Sequence, residues 1–494
     1  MNIYELIAML LYFVLVIGVG IYFFAKSKTG AGEKEYFLGG RNMGGWVAAL
    51  SAGASDMSAW VLMGLPGSIY LYGLGQLWIS IGLLIGTVCA WMFVAPRLRR
   101  YSVLANDSIT IPQYLTNRFM SKNKSLQIIS AIIFAVAYCV YAASSISACG
   151  TLFNTVLGMD PTVAMIIATC VIVLYTFLGG FNAVCWTDFF QGLLMLGALM
   201  IVPIIAVITM STAGFVQPDV VLPENYFNLL STGTMDAGSL AVIISGLGWG
   251  LGYLGMPHIL VRYISIKSEK EMSKSRIIGC CWIFVILLMA SIVGIVGRQF
   301  LGDTIVDNES VVFINMVRIV FPAFIAGIFL SAILAASMST ADSQLLASSS
   351  AFSSDIYKAV LRKKASDREM MWAGRFMVLI IAIIAFCIAN SPECEGIMAL
   401  VSCAWGAFGS AFGPVSVLSL YWKRFTYSGA VAGVTVGFLV DAVWYAFLAA
   451  PTGIYEIVPG FLCGLVAAVV VTLLSKKPSQ EVVDMFEKSR YPID

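Results

Sequence analysis

Thirteen times along this chain an apolar run recurs that is long enough to cross a bilayer, and that repetition leaves few folds open. A hydrocarbon core about 30 Å thick needs roughly 20 apolar residues per helical crossing. The runs fall near 3–25, 45–71, 74–96, 126–157, 161–179, 186–211, 237–261, 276–298, 321–348, 369–390, 396–421, 427–450 and 454–475. Composition agrees, with 60% of the 494 residues hydrophobic and 11% charged, against about 25% charged in a soluble domain. Lipid is therefore the solvent for most of the chain, and no linker or soluble domain interrupts it. A net charge of +2 with no long basic run excludes a nucleic-acid partner, and no obligate protein partner is evident. The 11 cysteines lie mostly inside apolar runs and none shows CxxC spacing, so neither a zinc site nor a disulfide framework is indicated. The opening MNIYELIAML lacks a basic region and a cleavage site, and reads as a retained first helix.

Basic residues test the number of crossings, because Lys and Arg collect in cytoplasmic loops. With the N-terminus outside and loops assigned alternately, 27 of the 29 basic residues fall inside, among them Lys28, Arg41, Arg262 and Lys363. Only Arg298 and Arg318 fall outside. An incorrect number of crossings would scramble this alternation. The expectation is an all-α polytopic protein of the inner (plasma) membrane, N-terminus outside and C-terminus cytoplasmic.

Two of the runs cannot be clean helices. The second, LSAGASDMSAWVLMGLPG (Leu50–Gly67), is small and hydroxylated, with Asp56 inside it and Pro66 after it. The seventh, SGLGWGLGYLGMPH (Ser245–His258), has five glycines in ten residues and then Pro257. Gly is costly in a helix interior and Pro removes a hydrogen bond. Irregular backbone at membrane depth survives only where protein or a water-filled cavity shields it. Gly and Pro also serve packing in ordinary membrane helices, but the positions here correspond. With the first helix set aside, runs two to six and seven to eleven form two blocks of five, each opening on its broken member. An odd number of crossings per block sets the two in opposite orientations, the layout of inverted-repeat transporters.

Polar residues at membrane depth sharpen this reading. A carboxylate such as Asp56 costs roughly 2.5–3.5 kcal/mol at a helix centre. Broken helices free carbonyl oxygens, which hard cations prefer; an N-cap on the second half-helix is the plainer role for Asp56 and is compatible with an ion site. In the ninth run, SAILAASMSTADSQLLASSSA, Ser339, Asp342 and Ser343 share one helix face, with Thr340 offset by one position. Asp188, in CWTDFFQ, is a second carboxylate; if it faces Asp342, the pair needs a cation or a shared proton. His258 is the only histidine, and a lone histidine is more often structural than a proton relay. Trp249, Tyr253 and Tyr141 belong to the core or, beside unwound backbone, wall an apolar ring. No catalytic motif or nucleotide-binding loop occurs, so an enzyme or an ATP-driven pump is not expected.

At these motifs the chain resembles the sodium/solute symporter family, and within it the sodium/proline symporters. The resemblance is carried by LGGRNMGGWVAALSAGASDMSAWVLMGLPGS, GGFNAVCWTDFFQ, GWGLGYLGMPHILVR and SAILAASMSTADSQLL, and with the helix number it spans nearly the whole chain. It implies a LeuT-like five-plus-five inverted repeat: residues 1–44 an additional helix and loop, 45–211 and 237–422 the two repeats, and 423–494 two further helices and a tail. It implies a sodium site from carbonyls of Ala54 and Met57 with Ala336, Ser339 and Thr340. Asp56 would support the ion, and Arg41, Asp188, Asp342 and Ser343 would support the site or its coupling. A proline site would use Ser58, Ala59, Tyr141, Trp249, Tyr253 and Pro257. Three positions depart from the family's proline carriers: Ala59 stands for a glycine, Met256 for a glutamine, and Asp342 where some members have Ser. The function implied is sodium-driven uptake of L-proline, with sodium co-transported. The rivals are another small solute, proton coupling, or a leak channel or sensor that binds without accumulating.

Overall fold

The computed structural model describes residues 2–26, 33–212, 214–216, 218–362, 364–394 and 396–492. Lys28 and Lys363, used in the charge alternation, and Ala213 of the loop after the sixth run lie outside the described residues. The described regular structure is helical apart from one isolated bridge, Met43 to Ile266. In chain order the α-helices of eight residues or more are α1 (Ile3–Lys26), α2 (Gly45–Ala54), α3 (Leu65–Tyr72), α4 (Leu74–Leu104), α5 (Ile111–Arg118), α6 (Ser125–Leu157) and α7 (Pro161–Met210). They continue with α8 (Ala237–Gly248), α9 (Pro257–Ser265), α10 (Glu269–Leu301), α11 (Val312–Val320), α12 (Ala323–Ala351) and α13 (Asp367–Ala389). The last four are α14 (Ile397–Tyr421), α15 (Tyr427–Phe447), α16 (Ile457–Leu474) and α17 (Gln480–Lys488).

Among the described residues 11 helices are long and apolar enough to cross a membrane, so the chain is a multi-pass membrane protein. Two expected runs are not in that set, each for a local reason. The second is interrupted after α2, which leaves no continuous helix of sufficient length. The fifth and sixth are the two helices of α7, separated at Gly180, which takes φ 61°, a conformation that favours glycine, and turns the chain; the fifth has only the shorter apolar helix Pro161–Leu174.

Both expected breaks are present. α2 stops at Ala54, and the chain turns through Ser55 and Asp56 and leaves Met57 and Ser58 non-helical. It then re-enters through a π-helical turn, Trp60–Gly64, that runs on into α3, and Pro66 just beyond that turn supplies no N–H to the ladder. α8 tightens into a 3-10 segment, Trp249–Leu254, the amides of Gly255 and Met256 both reach the Gly252 carbonyl, and α9 starts on Pro257. The glycines here serve close approach as well as freedom. A Cβ on Gly250 would strike the Gly82 carbonyl on α4, and one on Gly252 would strike the Trp405 indole.

Burial orders the helices. α12, rich in Ala and Ser, is enclosed along nearly its whole length and packs against α6, α7 and α1, small residues letting the backbones come close. α13, α15 and α16 lie further out and present residues such as Ile383, Val443 and Val466 to lipid. The two breaks and α12 therefore meet where both water and lipid are excluded.

Candidate functional site

The first break is the centre of the site. Its turn lets the Asp56 side chain point inward with no exposed surface. Asp56 Oδ2 accepts a hydrogen bond from the Tyr253 hydroxyl of the second break. The Asp56 carbonyl accepts from the Tyr141 hydroxyl on α6 at 3.3 Å and from Trp60 Nε1 at 3.1 Å. Asp56 Oδ1 has no partner, and among the described residues no Lys or Arg pairs with this carboxylate. A buried anionic oxygen left bare is costly. The expected residues Asp56, Tyr141 and Tyr253 are thus brought together by hydrogen bonds between three segments that are distant in sequence.

The aromatic wall is larger than the sequence suggested. Trp249 faces Trp60, Trp405 and Tyr455 with ring centroids 6.2, 6.5 and 5.0 Å away, and Trp405 Nε1 donates to the Trp249 carbonyl at 2.8 Å. Ser58 and Ala59 are fully buried at the start of the re-entrant turn, and the Ser58 hydroxyl accepts from the Trp60 amide at 3.4 Å. Pro257 opens α9 in the buried interior. At His258 the amide donates to Tyr138 Oη at 3.1 Å and Nδ1 lies 3.3 Å from the same hydroxyl, while Nε2 is buried without a hydrogen-bond partner among the described residues.

Against the other side of the break lies α12. Ser339 Oγ donates to the Ala54 carbonyl at 2.8 Å and approaches the Ala336 carbonyl at 3.2 Å, so three of the five expected sodium ligands meet at one atom. Thr340 Oγ1, one residue on, is fully buried and has no partner. Met57 is fully buried in the unwound stretch. The donors gathered here are all oxygens, the set that suits a hard monovalent or divalent cation rather than a soft transition metal.

Asp188 and Asp342 stand in an environment the sequence reading did not anticipate. The cation beside Asp188 is the guanidinium of Arg262, counted above as a loop residue. Arg262 Nη2 lies 3.0 Å from Asp188 Oδ2, with the two side chains 2% and 0% exposed. Asp342 accepts from the Ser343 hydroxyl at 3.1 Å, and that hydroxyl accepts from Arg262 Nη2. The signal for Arg262 was its place four residues after His258, one turn further along the helix that follows the break. Arg41 is held elsewhere, donating to Asp107 Oδ1 at 2.8 Å, Ser102 Oγ at 3.0 Å, the Ile264 carbonyl at 2.9 Å and the Ser108 carbonyl at 2.8 Å. It clasps the end of α9 to the segment before α5 rather than joining the central cluster. Trp60 and Trp405 were missed because an apolar ring in a membrane helix carries no mark of which ring it will face.

A family model described as the Sodium:solute symporter family matches residues 36–437. The osmoregulated proline transporter OpuE of Bacillus subtilis is 41% identical, with 98% of each chain covered. The sodium/proline symporter of Escherichia coli is 43% identical over 92% of this chain and 90% of its own. Among solved structures, a Na+-coupled sialic acid symporter in a substrate-bound outward-open state superposes with a TM-score of 0.77 at 20% identity, covering 97% of this chain and 99% of that one. At that identity the likeness is one of fold.

Proposed function

Because the chain belongs to the sodium:solute symporter family, we propose that it carries L-proline into the cell together with sodium by alternating access. It is a transporter and not an enzyme, as its family is. Sodium is held by the carbonyls of Ala54, Met57 and Ala336 and the hydroxyls of Ser339 and Thr340, with Asp56 contributing charge nearby. Proline lies against Ser58, Ala59, Tyr141, Trp249, Tyr253 and Pro257, its ring on the aromatic wall and its carboxylate toward N–H groups freed at a half-helix end. Arg41, Asp188, Asp342 and Ser343 surround this centre and act on coupling.

One observation carries the reading. Two oxygens, Asp56 Oδ1 and Thr340 Oγ1, are buried without partners on the two elements that the Ser339–Ala54 bond joins. A cation taken by Thr340 Oγ1 and the Ala54 carbonyl relieves the bare hydroxyl and fastens the first break to α12, with the Asp56 charge on the same turn. The sequence similarity to the two proline carriers supports proline as the solute. Residues 45–211 and 237–422 form the two inverted repeats of a LeuT-like fold, 1–44 and 423–494 flank them, and thirteen crossings leave the N-terminus outside and the C-terminus in the cytoplasm. Opposite orientation of the repeats suits rocking of one bundle against the other around a fixed site.

Coupling follows when sodium and solute each favour the same state. One charge moving down 100 mV releases about 2.3 kcal/mol, and a tenfold sodium gradient about 1.4 kcal/mol more. Together they sustain accumulation of several hundredfold, roughly. Uptake of radiolabelled L-proline into proteoliposomes, with and without an inward sodium gradient at fixed pH, tests the reading. Accumulation above equilibrium only with sodium is expected. Sodium-dependent uptake of another solute retires proline and keeps the machine, and accumulation driven by a proton gradient alone retires sodium.

A further inference from the structure

Far from the two breaks, at the end of α5, Arg118 has no exposed surface. Its Nε donates to the Ser419 carbonyl on α14 at 3.1 Å, but Nη1 and Nη2 are buried with no hydrogen-bond partner. No Asp or Glu pairs with it among the described residues; Glu269, which reaches the end of α4, serves Arg99 at 3.6 Å and Arg100 at 2.6 Å instead. The guanidinium carbon faces rings, among them Tyr101 on α4 at 5.0 Å and Phe486 on α17 at 5.3 Å. The Tyr101 hydroxyl is itself buried without a partner.

A second guanidinium shares Phe486. Arg97 on α4 lies 5.5 Å from that ring and 4.4 Å from the Tyr421 ring, and among the described residues no carboxylate pairs with it. A ring face attracts a cation without neutralising it, and buried charges are ordinarily paired. The cover over both is α17, whose buried residues are Val482 and Phe486, one turn apart. Its Glu481 and Asp484 are exposed, so the helix meets the two guanidiniums with a ring and not with its carboxylates. A nine-residue helix seated on so narrow a seam is a segment that opens easily.

Guanidinium forks match the oxygens of a phosphate group, and two forks use more oxygens than a carboxylate has. Arg97 follows the apolar run of α4, which sets it at the level of lipid headgroups, where basic pockets between membrane helices take phosphates.

We propose that Arg97 and Arg118 form a phosphate-binding site between α4, α5 and α14, that Phe486 covers it in this structure, and that the phosphate group and α17 exclude one another. The group belongs to an anionic lipid or to a free phosphate. Neither the site nor its test depends on which solute the chain carries.

Equilibrium binding to the purified full chain uses two probes, radioactive inorganic phosphate and labelled phosphatidylglycerol in phosphatidylcholine nanodiscs. Saturable binding of at least one probe is expected. Phosphatidylglycerol alone assigns the group to lipid, and inorganic phosphate alone assigns it to the free anion. Phe486→Ala, which uncovers the site and keeps both charges, should tighten binding about tenfold; Arg97→Gln should weaken it at least about tenfold, and Arg118→Gln should abolish it. In a cysteine-free version of the chain, Val482→Cys should be alkylated faster when the bound probe is present, and Arg118→Gln should remove that response. Saturable binding of neither probe overturns the proposal, as does binding that Arg97→Gln leaves unchanged. Binding that Phe486→Ala fails to tighten, or alkylation of Val482→Cys that the probe leaves unchanged, overturns the exclusion of α17. If Arg118→Gln fails to fold, Arg97→Gln, at a half-buried position, carries both readouts.

Discussion

Thr340 and Ser339 are neighbours in sequence with opposite hydrogen-bonding states. Ser339 spends its proton on the Ala54 carbonyl, whereas Thr340 Oγ1 is buried with nothing to bond. A hydroxyl kept bare in the interior costs about 1–3 kcal/mol, so its retention calls for a ligand. Thr340→Val, close in shape, should raise the sodium concentration for half-maximal uptake roughly tenfold, the equivalent of about 1.4 kcal/mol for one lost oxygen. Thr340→Ser should leave it near the original value. Sodium titration of initial uptake rates checks both. Asp56→Ala should remove sodium-dependent uptake, and unaltered sodium activation in that variant would sink its assigned role. Tyr253→Phe keeps the ring and deletes the donor to Asp56 Oδ2; a solute affinity lowered more than sodium affinity is expected, whereas equal loss of both points to a folding defect. At this scale the residue types were legible in the sequence, since an Asp amid small residues at membrane depth is conspicuous. Their partners were not: nothing in a linear chain says that Tyr141 and Tyr253 both address Asp56, because those contacts cross three elements.

The two interrupted crossings show what an element inherits from its own sequence and what it takes from neighbours. Gly, Ser and Pro cannot maintain a continuous helix, so the positions of the breaks could be read directly from ASDMS and GWGLGYLGMP. The packing of the second break was not readable. Gly82 on α4 and Gly250 in the break approach so closely that a Cβ at either strikes backbone of the opposite segment. Gly250→Val should therefore push α4 away from the break, destabilise the fold by about 1–3 kcal/mol and lower solute uptake. Thermal unfolding in detergent, measured beside uptake, separates the two effects. α7 shows the same legibility: the apolar pattern announces two runs, and the backbone of Gly180 at φ 61° breaks the helix between them. Arg262 was assigned to a loop because sequence alone counts charges by position, and only packing against α7 drew it inward to Asp188.

For the whole molecule, the proposed orientation rests on charge. The basic residues are distributed so unevenly among the loops that the proposed arrangement can be tested at two positions. In a cysteine-free version of the chain, Ser391→Cys should react with a membrane-impermeant thiol reagent added to intact cells, and Ser479→Cys should react only after the membrane is opened. Labelling of Ser479→Cys in intact cells would reverse the orientation. Arg41 closes one end of the assembly, with Asp107 held by both Arg41 and Lys34 and the Ile264 carbonyl at the end of α9 drawn into the same clasp. That clasp joins the segment before α2 to the end of α9, after the second break. Arg41→Ala should slow turnover more than it alters the sodium concentration for half-maximal uptake, a split that initial-rate kinetics resolves.

The sequence by itself determined the solvent, the helical class, the places where helices break and the small hydroxylated face of α12. Each of these is a local property: hydropathy over about 20 residues, the backbone limits of Gly and Pro, and the spacing of side chains around one helix. The tertiary structure alone decided which oxygens are left bare, which aromatic rings form the wall, and that the cation beside Asp188 is Arg262. Those are relations between elements 74 to 285 residues apart, set by which helices pack together in a medium where an unpaired charge must find its opposite inside the protein.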